Sequence, residues 1–308
     1  PHPSHVLNDN PDINLKKISM VAWETNLFSN MFVKGLHDFG FDALILHTSE
    51  HFSSIEKQVK IPTYVNHYPI FELFDPDTKI KKRNTDFNIV SINAFQPRKG
   101  WDELISAYYS AFYEYEDVCL RIKTHGDNEK IADAIRKLKK YHGAVEFLGD
   151  SQKGYTTSVS EPKCRIEIDN RFLSESEIEE YYKDFDLFTC ATKGEGFGLT
   201  IAQAGASGIP IMCPDKGGHN DFCPDFSYKV ETYTAACLGL GAPFYTGKNM
   251  YIFQSDHLSL KSKFIEAYND WKSGIIEDKG EKTKAYIRER LSTDKSYKNI
   301  LKIMEELR

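Results

Sequence analysis

Short apolar segments alternate with helical segments along almost the whole chain, and this alternation limits the fold more than any other feature. The segments KKISMVAW, DALILHT and FNIVSINAF have the pattern of strands, whereas stretches such as GWDELISAYYSAFYEY have the pattern of helices. This order is typical of α/β proteins, in which helices connect parallel strands and cover the sheet. We therefore predict an α/β fold built on parallel sheets.

A polar stretch from Phe71 to Asp86 interrupts the alternation, which then starts again. We interpret it as a linker between two lobes, because 308 residues are enough for about two ordinary domains. The prediction is a partial N-terminal Rossmann-like lobe over residues 1–80 and a doubly wound lobe over residues 81–250. A helical segment rich in lysine and glutamate, residues 251–308, is predicted to pack back across the lobes.

The composition disfavours several classes of protein. Hydrophobic residues make up 41% and charged residues 27% of the chain, as is typical of globular proteins. The net charge of -6 disfavours a general role in nucleic-acid binding. No apolar run approaches the ~18 residues of a membrane span, and no signal-peptide pattern occurs, so we expect a cytoplasmic protein.

The residue types that often hold metals do not form a metal-binding pattern here. The six cysteines contain no C-x-x-C pair, and the ten histidines lack metal-ligand spacing. We interpret the cysteines as buried free thiols in a reducing compartment, and we predict no bound metal or cofactor. Asp75 and Asp77 form a D-x-D pair, but they flank a proline in a polar stretch, where turn formation explains them.

The segment GEGFGLTIAQAGASGIPI, which begins at Gly194, places a glycine-rich loop between a predicted strand and a predicted helix. In open α/β sheets, ligands bind where strands end and helices begin, because the free N–H groups there hold negative charge. Glu195 would repel a phosphate and suits the hydroxyl groups of a sugar better. The spacing alone fits a structural glycine turn equally well. The N–H groups expected to bind a diphosphate belong to Gly196, Phe197, Gly198, Leu199 and Thr200.

A second loop, QPRKGWDEL from Gln96 to Leu104, also follows a predicted strand and opens a helix. Arg98 and Lys99 would lie at the same edge of the sheet, where two cations suit a diphosphate. Taken alone, this segment is better explained as a solvent-exposed basic turn. Two loops suited to an anion, both following strands of one sheet, favour a binding site.

Four motifs, in the right order, resemble retaining nucleotide-sugar glycosyltransferases of the GT-B fold, particularly glycosyltransferase family 4. GEGFGLTIAQAGASGIPI resembles the family's E-G-F-G-L…E-A…G-x-P signature, and RKGWDELISAYYSAF its segment with the phosphate-binding lysine. FLSESEIEEYYKDFDLF is similar to the family's L-S-x-x-E-L-x-x-x-Y-x-x-A-D helix and strand. DKGGHNDF is similar to its G-G/S-G-x-x-E/D loop. The resemblance covers about residues 85–225.

The resemblance implies a GT-B-like fold of two Rossmann-like lobes with parallel sheets, and it implies roles for individual residues. Lys99, with Arg98 beside it, would bind the diphosphate of the donor. The N–H groups from Gly198 to Thr200 would bind the distal phosphate, and Glu195 would bind hydroxyl groups of the donor sugar. Lys99, Arg98 and Glu195 are therefore the expected catalytic residues.

The remaining donor-site residues include departures from the family. Asn170 and Arg171 lie in the loop that would bind the edge of the base through backbone groups. Gln203 stands where the family has a second glutamate, so it would bind the ribose without charge assistance. Ala94 stands where the family often has an arginine. Only about 70 residues precede the linker, so the N-terminal lobe is expected to be incomplete.

The implied function is the transfer of a hexose from a nucleotide-sugar, such as a UDP- or GDP-sugar, with retention of configuration and without a metal. The acceptor would be a glycan, a lipid or a protein. The alternatives are a weakly active or inactive nucleotide- or sugar-binding protein, which needs a partner chain or an N-terminal segment, and a structural protein on the same scaffold. The lysine-rich run from Arg136 to His142 is either a solvated helix face or a contact with an anionic membrane surface.

Overall fold

The computed structural model describes residues 16–70, 85–124, 133, 145–148, 163–237, 245 and 249–308. Within these ranges the chain has the α/β architecture with parallel sheets that the sequence predicts. Several sequence predictions fall on other residues. Most of the predicted linker, the D-x-D pair and the lysine-rich run Arg136 to His142, with the helix predicted around it, lie outside the described residues apart from residue 133.

The N-terminal lobe is built on a three-stranded parallel sheet in the order β1-β2-β3. Its elements are β1 (Ile18–Val21), α1 (Asn30–Asp38), β2 (Ala43–Leu46), α2 (Phe52–Val59) and β3 (Thr63–Val65). The central strand β2 is buried along its whole length, as is typical of a parallel strand covered on both faces. Helix α1 begins where the side chain of Ser29 accepts a hydrogen bond from the N–H of Phe32, which caps the helix.

The second lobe is built on a seven-stranded parallel sheet in the order β10-β9-β8-β4-β5-β7-β6. Its strands are β4 (Phe87–Ile92), β5 (Val118–Lys123), β6 (Val145–Leu148), β7 (Arg165–Asp169), β8 (Leu187–Thr189), β9 (Ile211–Pro214) and β10 (Tyr228–Val230). The chain runs from β4 to its neighbour β5, then to the edge strand β6, and back to β7, which lies between β5 and β6. It then returns to add β8 on the other side of β4. The carboxyl ends of β4 and β8 therefore flank the point where the strand order reverses.

Helices cover both faces of this sheet. The helices between its strands include α3 (Trp101–Phe112), α4 (Glu175–Tyr182) and α5 (Leu199–Ala206). Helix α4 begins with a capping box, in which the side chains of Ser174 and Glu177 each accept a hydrogen bond from the other residue's backbone N–H. One apolar cluster packs Phe112 of α3 against one face of the sheet, and another packs Ile201 of α5 against the other face.

The C-terminal part adds an antiparallel ribbon and three helices. Its elements are β11 (Thr232–Ala236), β12 (Tyr251–Ser255), α6 (His257–Ser273), α7 (Ile275–Arg290) and α8 (Thr293–Glu306). Helix α6 packs on α3, and α7 packs on α5. Helix α8 reaches the N-terminal lobe, where Asn299 Nδ2 donates to the carbonyl oxygen of Val65 at 2.8 Å and Ser296 Oγ to that of His67 at 3.1 Å. No helix in the described ranges is long and apolar enough to cross a membrane.

Candidate functional site

The two loops singled out in the sequence lie side by side at the carboxyl edge of the larger sheet. One loop follows β4 and contains Arg98 and Lys99, and the other follows β8 and runs from Gly194 to Gly198. Strands β4 and β8 are direct neighbours, and the strand order reverses between them. Open α/β sheets bind ligands at such a reversal, outside the carboxyl ends of the strands.

Lys99 and Glu195 form an ion pair between these loops. Lys99 Nζ lies 2.6 Å from Glu195 Oε2, and each side chain is 16% exposed. Burial raises the pKa of Glu195, but the positive charges of Lys99 and Arg98 outweigh burial and hold the pKa below its usual value. Glu195 is therefore ionised at neutral pH and can accept hydrogen bonds from hydroxyl groups.

Arg98 points into the space between the lobes rather than to solvent. Its Nη1 donates to the carbonyl oxygen of Gly194 at 2.5 Å, and its Nη2 lies 3.2 Å from Glu24 Oε1 of the N-terminal lobe. Glu195 Oε2 is 3.9 Å from the same guanidinium. The second oxygen of Glu24 accepts a hydrogen bond from the hydroxyl of Tyr245 at 2.8 Å. Glu24 and Tyr245 thus belong to the site, although the sequence reasoning did not select them.

Two glycines of this loop lie directly against the backbone of the N-terminal lobe. A Cβ at Gly194 would lie 2.3 Å from the carbonyl oxygen of Glu24, and a Cβ at Gly196 would lie 2.6 Å from the backbone nitrogen of Trp23. Both contacts are too close for any side chain. These glycines therefore allow the backbone of the N-terminal lobe to pack closely on the loop.

The N-terminus of α5 faces the same edge of the sheet. Gly198 precedes the helix with φ +96° and makes no side-chain cap, so the first N–H groups of α5, from Leu199 and Thr200 onwards, have no partner within the helix. The ring of Phe197 is buried against Tyr68 and Phe222, with centroid distances of 5.3 and 4.9 Å. Phe197 can therefore offer only its backbone to a ligand.

The other predicted donor-site residues lie further from Lys99. Gln203 lies one turn into α5 and is partly exposed. Asn170 and Arg171 follow β7, which is separated from β4 by β5. Arg171 is exposed, and its guanidinium bonds to Asp169 at 2.7 and 3.0 Å. Lys123 Nζ donates to the carbonyl oxygen of Arg171, so this loop is held at the same edge of the sheet as the other two.

The loop after β9 joins the site to the N-terminal lobe. The N–H of Gly218 donates to the carbonyl oxygen of Glu195 at 2.8 Å. Three residues later, the carboxylate of Asp221 accepts hydrogen bonds from the backbone nitrogen and hydroxyl of Ser49, both at 2.6 Å, and contacts His67 Nε2 at 3.0 Å. Burial raises the pKa of Asp221, but these bonds outweigh burial and keep it below its usual value. Asp221 therefore links the lobes as an anion.

Two cavities lie between the N-terminal lobe and the C-terminal helices, away from Lys99 and Glu195. One has a volume of about 520 Å³ and is lined by residues that include Phe52, Thr63 and Ile303. The other has a volume of about 320 Å³ and is lined by residues that include His67 and Arg290. Neither of these two cavities is lined by Lys99 or Glu195.

No family model matches the chain. Two curated proteins are similar to parts of it, and both are named as transferases of a sugar. The chain is similar to the GtfA subunit of UDP-N-acetylglucosamine–peptide N-acetylglucosaminyltransferase of Streptococcus gordonii, with 24% identity over 177 residues, 57% of this chain and 29% of that protein. It is also similar to the lipopolysaccharide core biosynthesis mannosyltransferase LpsB of Rhizobium meliloti, with 28% identity over 85 residues, 27% of this chain and 24% of that protein.

Similar solved structures cover nearly the whole chain. TarM has a TM-score of 0.62 and 19% identity over 96% of this chain and 51% of its own. The pneumococcal O-GlcNAc transferase GtfA, in complex with UDP and GlcNAc, has a TM-score of 0.59 and 16% identity over 95% of this chain and 52% of its own. A chain of a GtfA/B complex has a TM-score of 0.61 and 17% identity over 95% of this chain and 53% of its own. The chain thus spans about half the length of these solved chains. The likeness shows a GT-B fold with a partial N-terminal lobe.

Proposed function

We propose that the chain is the catalytic part of a glycosyltransferase, whose second lobe binds a nucleotide-sugar through its diphosphate. The observation that carries the proposal is the convergence of Lys99, Glu195 and the uncapped start of α5 at the reversal between β4 and β8. A cation and free N–H groups suit a diphosphate, and a carboxylate suits sugar hydroxyl groups. All three lie where this class of sheet binds its ligands.

The comparisons support a UDP-sugar as the first donor to test. The relative GtfA is named for UDP-N-acetylglucosamine, and its pneumococcal counterpart was crystallised with UDP and GlcNAc. A GDP-sugar is the second donor class to test, because cations and N–H groups bind the diphosphate that both donor classes share. In this proposal the loop at Asn170 and Arg171 would bind the base through its backbone, and Gln203 would bind the ribose.

The chemistry proposed is the transfer of a hexose with retention of configuration, as in glycosyltransferase family 4, and without a metal. The bond between the anomeric carbon and the diphosphate oxygen breaks, and a new bond forms to the acceptor oxygen. The negative charge that develops on the leaving diphosphate is stabilised by Lys99, Arg98 and the N–H groups at the start of α5. The leaving phosphate takes the proton of the acceptor hydroxyl, so no separate base is required.

The acceptor proposed is a glycan, a lipid or a protein, bound on the side of the N-terminal lobe. Glu24 and Tyr245 line that side of the site. GtfA forms a complex with GtfB, which supports a search for a partner chain here as well. A cytoplasmic location, with or without contact to a membrane surface, remains part of the proposal.

The test is a transfer assay with UDP- and GDP-hexoses, in which the release of the nucleoside diphosphate and the mass of the glycosylated product are both measured. We expect the wild-type chain to consume one of the nucleotide-sugars. Glu195→Gln and Lys99→Ala should each lower the rate by at least ~100-fold, because losing one group that stabilises the transition state costs a few kcal/mol. The anomeric proton of the product, observed by NMR, reports retention. Tight nucleotide binding without turnover of any donor would instead favour a binding protein.

A further inference from the structure

Glu24 brings a negative charge from the N-terminal lobe into the donor site of the second lobe. Its Oε1 lies 3.2 Å from Arg98 Nη2, and the two side chains are 19% and 11% exposed. Its Oε2 accepts the hydroxyl hydrogen bond of Tyr245 at 2.8 Å, which orients the carboxylate towards the guanidinium. Glu24 is therefore held in a defined position next to one of the two cations expected to bind the diphosphate.

The charged groups of the site already balance one another. Arg98 and Lys99 carry two positive charges, and Glu24 and Glu195 carry two negative charges, all within contacts of 2.6 to 3.9 Å. A nucleoside diphosphate adds roughly three further negative charges when its terminal phosphate is ionised. Like charges at short range are costly in a partly buried site. The diphosphate must therefore take at least one cation away from its carboxylate.

The ion pair between Arg98 and Glu24 should break more easily than the one between Lys99 and Glu195. Lys99 and Glu195 lie on neighbouring loops of one sheet, and their 2.6 Å contact does not depend on the position of the N-terminal lobe. Arg98 and Glu24 lie on different lobes and are 3.2 Å apart. A small separation of the lobes removes Glu24 from the site while Arg98 stays, held by the carbonyl oxygen of Gly194.

We propose that Glu24 is a positioning residue that competes with the donor's diphosphate for Arg98. The inference rests on the proposed function, because it requires a nucleoside diphosphate at this site. Contact between the lobes then weakens diphosphate binding. The effect is larger for the nucleoside diphosphate that leaves than for the nucleotide-sugar that enters, because the ester carries one negative charge fewer. Glu24 thereby favours release of the product over release of the donor.

The experiment measures the affinity of UDP and of UMP by isothermal titration calorimetry, with GDP and GMP instead if guanine nucleotides are the ones that bind. We expect Glu24→Gln to bind UDP about tenfold more tightly than the wild type, and UMP within about twofold. Glu24→Asp keeps the charge and is expected to stay near the wild type. A residue with a purely structural role would not raise affinity when replaced. Glu24→Ala should act like the glutamine variant, and it replaces that variant if the latter does not fold.

The matched control is Glu103→Gln, which also converts a carboxylate that is 19% exposed into an amide. Glu103 pairs with Lys193 at 2.7 Å rather than with Arg98, so its replacement leaves the charge beside the guanidinium and the contact between the lobes in place. UDP affinity within about twofold of the wild type is expected for this variant. Equal tightening in both variants, or no tightening in Glu24→Gln, would overturn the inference alone. Failure of the wild type to bind any nucleoside diphosphate would overturn the proposed function as well.

Discussion

At the scale of single residues, Lys99 is the cation best placed to meet a diphosphate. Its Nζ contacts Glu195 at 2.6 Å, beside the uncapped start of α5. Arg98, in contrast, is held by Gly194 and by Glu24 of the other lobe. In the proposed site the two cations therefore have different expected roles. Lys99 would bind the phosphate, and Arg98 would be shared between the lobes and the ligand.

Replacing Lys99 by alanine is expected to weaken nucleoside diphosphate binding by about 10- to 100-fold, because a hydrogen bond to a charged group is worth about 1.5–3 kcal/mol. The matched control is Lys193→Ala, in which the lost ammonium is 20% exposed and pairs with Glu103 at 2.7 Å. Affinity within about threefold is expected for the control. Calorimetric titration measures both, and equal losses would show that the effect is one of general charge.

The lowered pKa of Glu195 predicts a dependence of stability on pH. The carboxyl group has a pKa below 4.5 in the folded protein, so its ionised form contributes stability above about pH 4.5. That contribution is lost as the pH falls through the folded pKa. The difference in unfolding free energy between the wild type and Glu195→Gln should therefore shrink below pH 4.5. Urea denaturation at several pH values measures it, and a constant difference would contradict the assigned ion pair.

Local sequence predicts that Lys99 and Glu195 lie at one edge of the sheet, but it does not predict that Glu24 joins them. Each of the first two follows an apolar strand and precedes a helix, and the carboxyl ends of parallel strands share one edge. Glu24 also follows a strand, β1, which is the only local signal it offers. Its contact with Arg98 depends on how two lobes meet, and its partner Tyr245 is 221 positions away. Side-chain pairing at that distance has no local pattern.

At the scale of elements, the regular α/β part was predictable because burial on both faces of a sheet demands apolar strands. β2 is buried at all four positions, and β4 at four of six. The ribbon of β11 and β12 was not predicted. β11 has no buried residue and carries no apolar run, because it pairs with β12 in a two-stranded ribbon. A strand without a buried face gives little signal in sequence.

The packing of α7 on α5 predicts an unusual sign for one glycine substitution. Replacing glycine by alanine inside a helix normally stabilises it by roughly 0.5–1 kcal/mol. A Cβ at Gly280 of α7 would lie 2.3 Å from the carbonyl oxygen of Gly208, directly after α5. Gly280→Ala should therefore destabilise the fold, by about 1–3 kcal/mol.

The control for this substitution is Glu281→Ala, one position further along α7 on its exposed side, which should change stability by less than about 0.5 kcal/mol. Thermal or urea unfolding of both variants tests the packing. If Gly280→Ala were stabilising, α7 would not lie against the end of α5 as described.

At the scale of the whole molecule, Asp221 is the clearest link between the lobes. Its side chain is 13% exposed, and it accepts two bonds from Ser49 and contacts His67. Asp221→Ala should cost about 2–3 kcal/mol, because the donors that it leaves behind are partly buried. Hydrogen exchange at the N–H of Ser49 should become faster in this variant. Unchanged exchange and unchanged melting temperature would mean that the lobes do not depend on this contact.

The fold class followed from sequence, whereas the arrangement of the lobes did not. Alternating strands and helices specify parallel sheets, and a break in the alternation suggests two lobes. Part of the surface by which the lobes meet is formed by backbone, at Gly194 and Gly196 against residues 22–24. Glycines that admit a neighbouring chain and glycines that admit a phosphate look alike in sequence. Only the folded chain shows which neighbour is present.

The most direct test is a thermal-shift measurement of the wild type with UDP, GDP, ADP and CMP, with Lys99→Ala measured in parallel. A nucleotide at about 100 times its dissociation constant should stabilise the fold by roughly 2.7 kcal/mol, a shift of several degrees. We expect such a shift with one nucleoside diphosphate, and a shift of about half that size or less in Lys99→Ala, because its affinity should be about 10- to 100-fold weaker. An undiminished shift in the variant, or no shift with any nucleotide, would contradict a diphosphate site at Lys99, Glu195 and the start of α5.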